Sequence, residues 1–194
     1  MNFLAHLYLS RNDKECIIGN FIADHVKGSK LHSYSNGIKA GILFHRKIDQ
    51  FTDSNPVVQR TVLNLRPYFR KYSGVVLDMF YDHFLGNDWS KYSDRVLEDF
   101  TDSMYSVLNE SFHILPPRSQ FILPYMMGED WLTGYRTFEG LNNALTGISQ
   151  RTTFYSNLDK AVEHLKDEYE LYKDSFDEFF PQLVEYSKKL QCLS

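Results

Sequence analysis

Cysteine is scarce in this sequence, and its two cysteines, Cys16 and Cys192, are too few for a disulfide framework. Neither belongs to a CxxC pair, so a zinc site built on thiolates is not expected. No apolar run approaches the roughly 18 uninterrupted residues of a membrane-spanning helix. The first residues, MNFLAHLYLSRNDKE, have no basic leader followed by a long apolar stretch, which argues against a signal peptide. These absences favour a cytoplasmic protein without a membrane segment.

The sequence also lacks the common motifs of nucleotide-binding and nucleophilic enzymes. It contains no P-loop, GxGxxG turn, GxSxG elbow or HExxH helix. No nucleic-acid-binding motif accompanies its basic stretches, so a nucleic acid partner is not expected. With 194 residues, of which 43% are hydrophobic and 15% aromatic, the chain can bury a sizeable core. We predict a single domain that covers residues 1–194.

Apolar residues recur at helical spacing along most of the chain. Two of the stripes consist of Phe3, Leu4, Leu7 and Tyr8, and of Leu158, Val162, Leu165, Tyr169 and Tyr172. Turn-forming residues, such as Ser35-Asn36-Gly37 and Ser54-Asn55-Pro56, separate the helical segments. No pair of alternating strands is present. The pattern predicts an all-α domain of roughly seven helices.

Aspartate and histidine residues interrupt the most apolar segments, IIGNFIADH, ILFHRKIDQF and VVLDMFYDHF. A buried carboxylate is costly unless it is paired, hydrogen-bonded or bound to a cation. His45 and Asp49 are four residues apart and therefore share a helix face, whereas the adjacent side chains of Asp82 and His83 diverge by about 100°. A structural hydrogen bond explains one such pair equally well. Because several helices carry these residues, we predict a metal site with oxygen and imidazole ligands.

The charges are unevenly distributed, although the net charge is only -4. Residues 25–48 and 54–77 contain no acid, and their basic residues include Lys27, Lys39, Lys47, Arg66 and Arg70. Such stretches predict a basic face that would attract an acidic partner. A solvated surface with chance segregation of charge is an equally good explanation from the sequence alone.

Five segments resemble the bacterial acyl carrier protein phosphodiesterase family. They are NFLAHL, GNFIADHVKG, GILFHRKIDQFTD, LDMFYDHFL and the later WLTGYR. This resemblance implies an all-helical enzyme related to the HD metal-dependent phosphohydrolases, with the doublet here in the order Asp82-His83. It also implies a reaction in which the phosphodiester between 4'-phosphopantetheine and a serine of the holo-acyl carrier protein is hydrolysed. The cofactor implied is a divalent metal, most often Mn²⁺, with Mg²⁺ or Fe²⁺ as alternatives.

The resemblance also assigns roles to individual residues. The metal ligands that it implies are His6, Asp24, His45, Asp82 and His83. Asp49 and Asp78 are expected to orient or deprotonate the attacking water, or to support the ligands. Arg46 is suited to bind a phosphate oxygen. The basic stretches would then dock the acidic carrier protein.

Two alternative functions remain from the sequence. An HD-type phosphohydrolase that acts on nucleotides would use the same metal core. A helical binding protein would instead use the buried aspartates and histidines as structural hydrogen-bond networks. The aromatic-rich segment that contains Trp131, Tyr135, Arg136 and Phe138 is most simply core packing, but it is also suited to line a ligand cleft.

Overall fold

A computed structural model describes residues 1–153 and 156–190, and its regular secondary structure is helical throughout these ranges. The α-helices are α1 (Phe3–Leu9), α2 (Lys14–Ile22), α3 (Asn36–Ser54), α4 (Pro56–Phe69), α5 (Ser73–Asn87), α6 (Leu97–Glu110), α7 (Pro117–Gly128), α8 (Trp131–Gly134), α9 (Phe138–Gln150), α10 (Ala161–Asp167) and α11 (Tyr169–Lys189). Short 3-10 helices connect several of them, including one over Ala23–His25. The all-α prediction is confirmed.

The described residues form eleven α-helices rather than roughly seven. Periodicity undercounts because a helix as short as α8, which has four residues, cannot repeat an apolar stripe. The stripe that begins at Leu158 also spans a break, since the backbone leaves helical geometry at Glu168 between α10 and α11. Apolar spacing continues across that break although the helix does not.

Side-chain caps begin the helices at the turns that the sequence marks. The hydroxyl of Ser35 accepts a hydrogen bond from the Ile38 amide at the start of α3. The side chain of Asn55 accepts one from the Val57 amide, with Pro56 at the first position of α4. These caps occupy amides that have no partner within the helix. They set where α3 begins and ends, and α3 carries two residues of the candidate site.

The core is built around α5, which is apolar on nearly all sides and packs against α11. Tyr81, Phe84, Phe176 and Phe179 are fully buried, with exposures of 0%. The Tyr81 hydroxyl lies 2.6 Å from that of Ser175, so its polar end is satisfied inside the core. Each buried aromatic ring contributes about 1.5 to 3 kcal/mol to stability. This packing holds α5 rigidly behind α1, which carries another residue of the site.

Helices α2 and α3 approach each other closely at two glycines. A Cβ atom on Gly19 would lie 2.2 Å from the carbonyl oxygen of Ile38 and 2.8 Å from Cα of Gly41. One on Gly41 would lie 2.6 Å from the carbonyl oxygen of Cys16. Only glycine permits this separation, and it brings Asn20 of α2 next to His45 of α3.

The part of the chain that the structure describes contains no helix that is both long and apolar enough to cross a membrane. Cys16 is buried in α2. Cys192 lies outside the described residues.

Candidate metal centre

Two helices bring two histidines and an aspartate together. His6 comes from α1, and His45 and Asp49 come from one face of α3. Nε2 of His6 lies 3.1 Å from Oδ1 of Asp49, and Nε2 of His45 lies 3.0 Å from Oδ2 of Asp49. One ligand atom from each residue lies within 4.8 Å of the others. This arrangement is compact enough for one cation to contact all three residues.

The two imidazole rings are stacked, with centroids 4.0 Å apart and planes inclined by 18°. Burial, followed by the neighbouring imidazole, lowers the pKa of His6 to about 4. Burial also opposes a charge on His45, but the carboxylates of Asp24 and Asp49 outweigh it and raise the pKa of His45 to about 9. The pair therefore holds one proton at neutral pH, because two stacked cations would repel each other.

Asn20 connects the two histidines. Its side-chain nitrogen donates to the carbonyl oxygen of His6 at 2.7 Å and to the hydroxyl of Ser10 at 2.7 Å. Its Oδ1 lies 2.9 Å from Nδ1 of His45 and is an acceptor, so Nδ1 of His45 carries a hydrogen. Nε2 of His45 is thereby directed toward Asp24 and Asp49.

Two buried nitrogens of this cluster, Nδ1 of His6 and Nε2 of His45, have no hydrogen-bond partner among the described residues. Nε2 of His45 is close to Asp49 but outside the geometry of a hydrogen bond. A buried polar atom without a partner costs about 1 to 3 kcal/mol. Imidazole and carboxylate donors suit Mn²⁺, Fe²⁺ or Zn²⁺, so the residues fit a divalent cation.

Asp24 lies beside this cluster, with Oδ1 3.4 Å from Nε2 of His45 and a side chain that is 75% exposed. The nearby imidazole of His45 outweighs partial burial and lowers the pKa of Asp24. Asp24 is thus the more exposed carboxylate of the site, since the side chain of Asp49 is 39% exposed. His6, Asn20, Asp24 and His45 all line a small cavity of about 50 Å³ that reaches the surface.

The two carboxylates on α5 accept hydrogen bonds from backbone groups at the start of the chain. Asp82 is fully buried and accepts hydrogen bonds from the amides of Leu4 at 2.7 Å and Ala5 at 3.2 Å. Asp78 accepts one from the amino group of Met1 at 2.8 Å. Burial raises the pKa of both groups, that of Asp82 to about 7. The structure therefore places Asp78 and Asp82 next to the cluster, in contact with the backbone that leads to His6.

His83 points away from the cluster. Its Nδ1 lies 2.9 Å from the carbonyl oxygen of Tyr135, and its ring stacks on that of Phe138 at 5.0 Å. Burial lowers its pKa. Because His83 follows Asp82 directly, its side chain leaves α5 in a different direction. The structure brings His6, His45 and Asp49 together but does not bring His83 to them.

Arg46 lies on the exposed side of α3 and donates from Nη2 to the carbonyl oxygen of Val26 at 2.9 Å. A second guanidinium, that of Arg118 at the start of α7, lines a hollow together with Asn2 and Phe3 of the chain start. Nδ1 of His25 is 2.7 Å from the hydroxyl of Ser119, which anchors the start of α7 next to Asp24. No sequence motif predicts this, because His25 and Ser119 are 94 residues apart.

The five predicted docking residues are distributed over the surface of the segments that surround α3 and α4. Lys27, Lys47, Arg66 and Arg70 are exposed, and Lys39 is half-buried. Within residues 1–153 and 156–190, none of the five forms an ion pair with a carboxylate. Their charges are therefore available to an external anion.

Comparison with known proteins identifies relatives over nearly the whole chain. Residues 1–183 match the family model described as acyl carrier protein phosphodiesterase. A protein of that name from Pectobacterium atrosepticum is 31% identical over 192 residues, which is 98% of this chain and all of the relative. One from Serratia proteamaculans is 30% identical with the same coverage, and one from Escherichia coli is 32% identical over 97% of this chain and 98% of the relative. No solved structure matches, so the relation to HD phosphohydrolases stays a prediction. The chain belongs to the acyl carrier protein phosphodiesterase family.

Proposed function

We propose that this protein hydrolyses the phosphodiester that joins 4'-phosphopantetheine to a serine of the holo-acyl carrier protein, in a reaction that depends on a divalent cation. Its relatives carry the name of that activity. The observation that supports cation dependence is the convergence of His6, His45 and Asp49, with two buried ring nitrogens left without partners. Mn²⁺ is the cation that we favour, with Mg²⁺ or Fe²⁺ as alternatives. The substrate is a cytoplasmic protein, and we propose the same location for the enzyme.

His6, His45 and Asp49 would hold the cation, which when bound makes its water more acidic and neutralises charge on the phosphoryl oxygens. Asn20 keeps one hydrogen of His45 on Nδ1, so Nε2 would offer its lone pair to the cation once the second proton of the ring has left. Asp49 contacts both imidazoles and is not free to move, whereas Asp24 is exposed. We therefore assign the acceptance of the proton from the attacking water to Asp24.

A panel of variants tests this assignment. His45→Gln and Asp49→Asn should lower the rate of holo-carrier cleavage at least about 100-fold, since each removes a group that holds the cation. His83→Gln is the matched control, because His83 is a buried histidine that lies away from the cluster. It should retain most of the activity of a folded enzyme. Equal losses in His45→Gln and His83→Gln would contradict the proposed centre, and cleavage of free nucleotides instead of the carrier would favour the nucleotide phosphohydrolase alternative.

The proposed protein substrate is acidic, and the exposed basic residues suit it. Arg66→Glu combined with Arg70→Glu should raise KM for the carrier while kcat changes little, and the effect should weaken at high salt. Lys160→Glu is the control, because Lys160 is also exposed but lies in the acid-rich C-terminal part of the chain. An equal rise in KM for the control, or a rise that salt does not reduce, would contradict the docking role.

A further inference from the structure

A cleft lies between α7 and α9, close to Asn2 and Phe3 at the start of the chain. It consists of two hollows, of about 270 Å³ and about 600 Å³. Ile122, Trp131, Ala144 and Arg151 line both hollows, so the two hollows adjoin each other in one cleft. We refer to it as the α7–α9 cleft. Its combined size is in the range of pockets that bind small molecules.

The cleft is connected to the site through the start of the chain. Asn2 and Phe3 line the smaller hollow of the cleft and also the small cavity that contains His6 and His45. Phe3 precedes His6 by one helical turn on α1. The histidines and the α7–α9 cleft therefore lie on either side of these two residues.

The polar groups of the cleft are basic at the end near the site. Arg118 and Arg151 line the smaller hollow, and no carboxylate side chain lines it. Neither arginine forms an ion pair with a described residue, although Nε of Arg151 donates to the carbonyl oxygen of Gly147. Arg118 is next to Ser119, which contacts His25 beside Asp24. The Arg118 side of the hollow is therefore the side that faces the candidate metal centre.

The larger hollow, away from the site, has aromatic side chains in its lining. Trp131 is half-buried, and its Nε1 donates to Glu129 at 2.8 Å, which holds the indole ring in place. Phe121 and Tyr125 on α7 also line the larger hollow and are 56% and 53% exposed. Exposed aromatic side chains around a hollow are a common feature of binding sites.

We propose that the α7–α9 cleft binds the 4'-phosphopantetheine arm of the substrate. This inference rests on the proposed function. The arm has a phosphate at one end, then a dimethyl carbinol and two amides, and a thiol at the other end. The phosphate end lies at the metal centre within reach of Arg118, the amide carbonyls accept from Arg151, and the thiol end packs on Trp131. The cleft thus determines which phosphodiesters are accepted, since a substrate without the arm leaves it empty.

Binding of free 4'-phosphopantetheine tests the cleft without requiring catalysis. Trp131 is a natural reporter, and Trp131→Phe identifies its share of the tryptophan emission beside that of the buried Trp89. The wild-type protein should show a saturable change in emission. Ala144→Phe fills the space shared by the hollows and should weaken binding at least about tenfold. Asn142→Phe is the matched control on α9, because Asn142 lines neither hollow, and it should bind as the wild type does.

Substitutions of the two arginines distinguish contacts to the phosphate end of the arm from contacts to the rest of it. Arg118→Gln should weaken binding of phosphopantetheine but not of pantetheine, which lacks the phosphate, whereas Arg151→Gln should weaken both. The absence of a saturable change in the wild type, or unchanged binding in a folded Ala144→Phe variant, would overturn the proposal. If the carrier is cleaved but these binding results fail, the cleft proposal is wrong and the function stands. If phosphopantetheine binds as described but the carrier is not cleaved, the cleft proposal stands and the proposed function is wrong.

Discussion

The side-chain oxygen of Asn20 lies 2.9 Å from Nδ1 of His45, while its nitrogen donates to the carbonyl oxygen of His6 at 2.7 Å. One buried amide therefore fixes both histidines of the candidate metal centre. It sets the hydrogen of His45 on the nitrogen that faces away from Asp49. A side chain that contacts no cation itself thus controls which atoms are offered to one.

Asn20→Ala should lower the affinity for Mn²⁺ by about 10- to 100-fold, because His45 then loses the acceptor that orients its ring. Titration calorimetry of the metal-free protein measures this affinity. Asn142→Ala is the control, since Asn142 is a half-buried asparagine distant in sequence from the centre. Wild-type affinity in Asn20→Ala would mean that the amide has only a structural role.

Gly41→Ala should destabilise the protein by about 1 to 3 kcal/mol, because the new methyl group meets the backbone of Cys16 and forces α2 and α3 apart. It should also weaken Mn²⁺ binding, since Asn20 and His45 lie on these two helices. Gly74→Ala is the matched control, because nothing lies within 4 Å of a Cβ atom there. Its stability should change by less than about 1 kcal/mol. Chemical denaturation of the three proteins measures the stability, and titration calorimetry measures the affinity for Mn²⁺. Equal stability of Gly41→Ala and the wild type would contradict the close crossing.

Asp82→Ala should destabilise the protein by about 2 to 4 kcal/mol, because the buried amides of Leu4 and Ala5 lose their acceptor. Asp82→Asn should cost less, since the amide oxygen still accepts one hydrogen bond. Thermal and denaturant unfolding distinguish the two variants. If Asp82→Asn is as damaging as Asp82→Ala in stability, the charge rather than the acceptor geometry is what matters.

The ion pairs of Asp88 should make the stability of the protein depend on pH. Partial burial disfavours its charge, but Lys91 and Lys173, with Nζ atoms 2.8 Å and 2.9 Å from Oδ2, outweigh this and lower its pKa. A lowered pKa stabilises the fold above the ordinary value of 3.8, and this contribution disappears as pH falls through the lowered pKa. The wild type should therefore exceed Asp88→Asn in stability by about 1 kcal/mol at neutral pH and by nothing in strong acid. A difference that does not change with pH would exclude the ion pairs as its source.

The sequence was sufficient to predict the helical class and the shared face of His45 and Asp49, because helical periodicity determines both. It was also sufficient to predict inward polar groups on α1 and α5. It could not predict that Asp82 would cap α1, since both partners are backbone amides. The position of His83 depends on Phe138 and on the carbonyl oxygen of Tyr135, which only the tertiary fold brings to α5.

The aromatic-rich segment was also only partly predictable from the sequence. Trp131 and Tyr135 line the α7–α9 cleft, as one of the two sequence interpretations allowed. Phe138 instead packs on His83, and Arg136 pairs with Glu98 at 2.7 Å. Their closeness in the sequence suggests one role. The turn at Asp130, where φ is +42°, and the short helix α8 direct them to different places.

The central claim is tested most directly by incubating the chelator-stripped protein with the holo-acyl carrier protein, with and without Mn²⁺, and measuring the mass of the carrier. The account predicts that the carrier loses the 4'-phosphopantetheine group when Mn²⁺ is added and keeps it when the cation is absent. An unchanged mass with Mn²⁺, Mg²⁺ and Fe²⁺ each added to folded protein would contradict the proposed function. Equal cleavage without any cation would contradict the role given to His6, His45 and Asp49.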